Sequence, residues 1–200
     1  PYLPVTRRFT SALYLRIEDI PEYRELPSFA RQRVELLREG VRGWNSRVDR
    51  LERDEVLSAK LEALEEILAV PLTAGRRALL DAYRAREGRG LEDFALWSAI
   101  AESVHGTADE ACLQNLDEAT LAQARRELAD RIEFHLRVQW LLDEQMGAAQ
   151  SAARDAGMRI GIMHDLAVGV EQIGADSWRL RDVLADGVAV GAPADQYHQQ

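Results

Sequence analysis

The sequence contains one cysteine, Cys112, so no intrachain disulfide can form. No apolar run approaches the ~20 residues that a bilayer span requires, and no signal peptide opens the chain, which together predict a cytoplasmic protein. A basic stripe is also lacking. The 25 Lys and Arg residues are scattered among 34 acids for a net charge of -9, a balance that disfavours nucleic acid and anionic membrane as partners. The four histidines, His105, His135, His164 and His198, show no HExxH-like spacing and have no cysteine partners, so no metal is expected. Neither G-x-G-x-x-G nor a P-loop occurs, and GVAVGA at 187–192 fits neither, so no nucleotide cofactor is expected. Nucleophile elbows of the G-x-S-x-G type are absent too.

What is present is enough for a core: 200 residues, 46% of them hydrophobic, predict one domain or a large piece of one. The chain opens at Pro1 without methionine and closes on PADQYHQQ, and it is expected to be an internal piece of a longer polypeptide. Three zones follow from the patterning, at 1–26, 27–156 and 157–200. In the first, SALYLRI places Leu13, Leu15 and Ile17 at period two before Pro21, predicting a strand. The second is rich in Ala, Leu, Glu and Arg, with breaks near Pro71, Gly88–Gly90 and Gly106, and predicts four or five helices. Its clearest stretch starts at Asp117 as N-cap, repeats Leu121, Ala124, Leu128, Ile132 and Leu136 at helical spacing, and stops at Gly157, with a kink expected at Gly147. His135 and Trp140 within it read as packing residues, and VDRLERDEVLSAKLEALEEIL reads as a solvated helical face. The third zone switches period: Met158, Ile160 and Ile162 predict a short buried strand over 159–164. A long helix feeding a buried strand predicts an α/β fold.

That second strand would end at Asp165. A carboxylate there is either a helix cap or loop hydrogen bond, or one of the groups that β/α barrels present to ligands from the C-terminal ends of strands. GIMHDLAVGVEQIGADSW, 161–178, is similar to the G-D-L-P-V-G-V…S-A-D-V-W stretch of the amylomaltase (4-alpha-glucanotransferase) family, glycoside hydrolase family 77, and most of all to its actinobacterial version. The likeness extends along the chain in the same order. PYLPVTRRFTSALYL resembles the family's S-P-Y-x-P-x-S-x-x-F-x-N-P-L-Y-L, LEDFALWSAIAE its F-x-x-W-x-A-L-A-E, FHLRVQWLLDEQ its F-x-x-x-x-Q-W-L-x-x-E-Q, and VGAPADQYHQQ its G-x-P-P-D-x-F loop. Departures stand at Ser11-Ala12 for Asn-Pro, at His164 and Ala167 in the Gly-Asp-Leu-Pro motif, at Ala194 for a loop proline, and at HGTADEACLQNL for a W-x-x-W-P segment.

The resemblance implies part of a (β/α)8 TIM barrel, with an early strand and loop in 1–26, a helical insertion in 27–156, and a strand with an active-site loop in 157–200. It implies retaining transfer of α-1,4-glucan segments between malto-oligosaccharides. Such chemistry needs a carboxyl pair about 5 to 5.5 Å apart. The family's nucleophilic R-x-D-H aspartate and its acid/base glutamate match nothing in these 200 residues, and are expected downstream. No catalytic residue is therefore assigned within the chain. Substrate-binding roles carried over are Tyr2 and Tyr197 as rings against sugar, Asp165 as acceptor for sugar hydroxyls, and Asp195 as a loop-holding residue. The rival expectation, drawn from the helix content, is a non-catalytic helical interaction module.

Overall fold

The computed structural model describes residues 4–105, 113, 116–185 and 188. Helices begin and end largely where the sequence changes character. Helix α1 (Ser28–Arg42) and helix α2 (Arg53–Leu68) are followed by α3 (Ala74–Glu87), with the break between α2 and α3 falling at Pro71. Thr73 caps α3 by accepting from the Arg76 N–H at 3.3 Å. That helix ends at Gly88, whose φ of 57° any residue with a Cβ would adopt at a cost, and α4 (Arg89–Val104) starts at the next residue. Asp117 caps α5 (Glu118–Glu127), its carboxylate accepting from Thr120 N–H at 2.7 Å. The long predicted helix is in fact two. It breaks at Leu128 (φ -107°, ψ 20°), and α6 (Ala129–Asp155) runs unbroken through Gly147. Leu128 packs into the core and turns the chain there, whereas Gly147 has open space around it and costs its helix only about 1 kcal/mol relative to alanine. Among its described residues the zone 27–156 thus holds six α-helices where four or five were expected, and a short α7 (Ala175–Arg179) follows.

Both predicted strands are corrected. Ser11–Ile17 is built from 3-10 turns, Ala12–Tyr14 and then Ile17–Asp19, and residues 159–164 run without regular structure. Among the described residues there is no strand, so the α/β expectation gives way to a helical fold over that part of the chain. Period two states which side chains turn inward, and Leu15 and Ile17 are indeed buried; it does not supply a neighbouring strand. Here the neighbours are helices, and glutamine side chains take up the backbone groups that a ladder would have paired. The second segment is not buried either, with Ile160 80% and Met163 87% exposed.

Helix α6 packs against α4, α2, α3 and α5 and lies at the centre of the fold. Its middle turns supply Leu136, Val138, Trp140, Leu141 and Leu142 to a core shared with α1, α2, α3 and the N-terminal turns; a second cluster joins α4, α5 and α7 around Trp97, Leu121 and Trp178. The charge-laced face of α2 is only partly solvated, since Ala63, Leu64 and Ile67 enter the first core. Arg76 closes that core from above. Its guanidinium lies 4.0 Å over the Trp140 ring and pairs with the buried Glu22 at 2.6 Å and with Glu144 at 2.7 Å.

Candidate functional site

Asp165 is exposed, lies ten residues before the start of the next helix, α7, and makes no hydrogen bond or ion pair with any described residue. The capping alternative is not realised. Tyr2, Asp195 and Tyr197 fall outside the described residues.

Two anchors hold the segment that carries Asp165. Before it, the Gln150 side chain accepts from Ile162 N–H at 2.7 Å and donates to Ile160 C=O at 3.1 Å. Between them Gly161 has φ 87°, and a Cβ there would stand 2.5 Å from the Gln150 amide. After it, the segment meets the N-terminal stretch: Glu171 N–H donates to Pro4 C=O at 3.0 Å and the Arg7 guanidinium to Val168 C=O at 3.4 Å. Asp176 then ties the same stretch to α7, accepting from the Thr6 hydroxyl at 2.9 Å and the Arg7 N–H at 2.8 Å. Gly174 is needed for this approach, because a Cβ would lie 2.8 Å from Val5 C=O. Residues 4–7 thus run beside residues 168–176.

Sequence reasoning missed these anchors. Gln139 and Gln145 could have been found, since Gln139 interrupts the otherwise apolar stretch Val138–Leu142, and both are the glutamines of the F-x-x-x-x-Q-W-L-x-x-E-Q likeness. Gln139 exchanges two hydrogen bonds with the Thr10 backbone at 3.1 and 2.9 Å, and Gln145 two with Arg16 at 2.8 Å each. Gln150 carries no such signal. His135 packs as expected, yet it is also bonded to Glu102 at 3.0 Å. Among the described residues no group of three or more His, Cys, Asp or Glu could hold a metal, and no helix is long and apolar enough to cross a membrane. A cavity of about 350 Å³ lies apart from Asp165, between α1, α2 and the N-terminal turns, walled mainly by apolar side chains such as Leu15, Val34, Val56 and Ala63.

Against known proteins, a family model described as 4-alpha-glucanotransferase matches residues 1–200. The chain belongs to the 4-alpha-glucanotransferase family. A 4-alpha-glucanotransferase of Mycobacterium tuberculosis is 47% identical over 201 residues, covering 100% of this chain and 28% of that protein. One from Haemophilus influenzae is 28% identical over 217 residues, covering 98% of this chain and 30% of its own length. The crystal structure of amylomaltase from Corynebacterium glutamicum superimposes with a TM-score of 0.84 at 41% identity, covering 100% of this chain and 27% of that one. The chain therefore spans a little over a quarter of the length of these 4-alpha-glucanotransferases.

Proposed function

We propose that these 200 residues form part of a 4-alpha-glucanotransferase acting on malto-oligosaccharides and α-1,4-glucans, and that they build one wall of its glucan site. The observation that carries the reading is a likeness running unbroken from end to end of the chain. It leaves the helical interaction module with nothing in its favour beyond helix content. In this reading the segments 1–26 and 157–200 belong to a (β/α)8 barrel, 27–156 is a helical insertion, and the enzyme is cytoplasmic. Glucan transfer proceeds by double displacement: a carboxylate supplied downstream attacks the anomeric carbon, a second carboxyl protonates the departing oxygen, and a sugar hydroxyl intercepts the glucosyl ester in place of water.

The role of this chain is binding. An unpartnered, exposed carboxylate on a segment anchored at both ends suits Asp165 to accept hydrogen bonds from sugar hydroxyls. Tyr2 and Tyr197 each offer an apolar ring face and a hydroxyl to a pyranose, and Asp195 holds the loop. The test is the full-length enzyme with maltotriose, which is expected to release glucose and build longer glucans. Charge-assisted hydrogen bonds of about 1.5 to 3 kcal/mol convert to a fall in kcat/KM of about ten- to a hundredfold for Asp165→Asn, with melting unchanged. Absence of glucose release would overturn the activity, and normal kinetics in Asp165→Asn would overturn the site.

A further inference from the structure

Three glutamines of α6 each hydrogen-bond the backbone of a non-helical segment at two points, two of them on the N-terminal segment and one on the segment before Asp165. Gln139 and Gln145 each exchange a pair of hydrogen bonds with the backbone of one residue, Thr10 and Arg16, while Gln150 spans Ile160 C=O and Ile162 N–H across Gly161. The first two fix the N-terminal segment to the helix. The third fixes the segment that leads to Asp165.

We propose that Gln150 is a positioning residue of the glucan site, acting through Asp165; the inference rests on the sugar-binding reading of that carboxylate. From Ile162 to Leu166 every side chain is exposed, so packing does not determine which way this stretch points. Its direction is set by its two anchors, the Gln150 bridge before it and the contacts of Val168 and Glu171 with Arg7 and Pro4 after it. The second anchor is itself tied to α6 through Thr10 and Gln139, so both ends of the Asp165 span are referenced to one rigid helix. Gly161 completes the device. Its positive φ turns the chain around the Gln150 amide, and a Cβ there would push that amide away. A binding group held by such a shell loses function when the shell loosens, even though the group itself remains.

The experiment measures kcat/KM for maltotriose transfer by the full-length enzyme, with Gln150→Ala made alone and together with Asp165→Asn. Alanine favours the helix, so the variant is expected to melt within about 2 °C of the parent. Gln150→Ala alone is expected to lower kcat/KM about tenfold, and in the Asp165→Asn background less than about twofold, because the group it positions is already lost. Gly161→Ala reaches the same contact from the other side and is expected to show the same dependence on Asp165. Gln150→Glu, which keeps the acceptor for Ile162 N–H and loses the donor to Ile160 C=O, should fall between alanine and parent. Full activity in Gln150→Ala beside an impaired Asp165→Asn overturns the role of Gln150 alone. An equal loss in both backgrounds also overturns it, since Gln150 would then act independently of Asp165. Normal kinetics in Asp165→Asn removes the sugar-binding role and the positioning role together.

Discussion

Lys60 is the chain's one lysine among 25 cationic side chains. Its ammonium donates to the Leu13 and Leu15 carbonyls, 2.9 Å from the latter, and burial lowers its pKa. A compact ammonium can serve two carbonyls two residues apart, where the planar fork of arginine spreads its donors too widely. Lys60→Met is expected to cost about 1 to 3 kcal/mol in urea unfolding by leaving both acceptors without their partner, and Lys60→Arg is expected not to restore it. Glu102 shows a different balance. Burial pushes its carboxyl upward, but hydrogen bonds from His135 and Arg131 outweigh that and bring it to about 2. A depressed carboxyl stabilises the fold above its ordinary value of 4.5, and that stability is lost as pH falls through the folded value. The side chain is 39% exposed, so screening reduces its contribution to about 1 kcal/mol. Glu102→Gln should therefore be less stable than the parent by about that much at pH 7, with the gap closing below pH 4.5 in melts across the acid range.

At the scale of elements, punctuation was legible and pairing was not. Pro71, Gly88 and Asp117 mark helix boundaries because each acts within a few residues: a missing N–H, a positive φ, a cap. The break at Leu128 carries no local mark, because it follows from that side chain entering the core between α4 and α5. Likewise SALYLRI placed Leu15 and Ile17 inward, as they are, while its backbone turns in 3-10 fashion against α2 and α6. Of the candidate site, Asp165 could be picked out by likeness, but its anchors pair residues over long separations, Gly174 with Val5 being one. That contact gives a prediction for the element as a whole. Gly174→Ala drives a Cβ into the Val5 and Glu171 carbonyls, at 2.8 and 2.9 Å. It is expected to destabilise the chain by about 1 to 3 kcal/mol in thermal melts, and to loosen the Thr6 and Arg7 contacts with Asp176.

At the scale of the molecule, the described residues form a helical body with α6 at its centre, across which the N-terminal segment and the segment before Asp165 are laid. The 200 residues expressed alone are expected to give a helix-dominated far-UV circular dichroism spectrum and to release no glucose from maltotriose; transfer above the buffer rate would place the chemistry within this chain. The sequence by itself determined the helix-rich composition, the principal helix boundaries, the inward face of SALYLRI and the family, since these are local or are carried by motif order, whereas the burial expected of Met158, Ile160 and Ile162 was not met. The tertiary structure alone decided that the period-two segments lie on helices without forming a ladder, that glutamines supply their backbone partners, and that residues 4–7 run beside residues 168–176. The reason is physical. Hydrophobic period fixes which side of a segment faces the core, whereas hydrogen-bond partners for an extended backbone come from whatever the fold brings alongside, and nothing within seven residues of Ile162 announces Gln150.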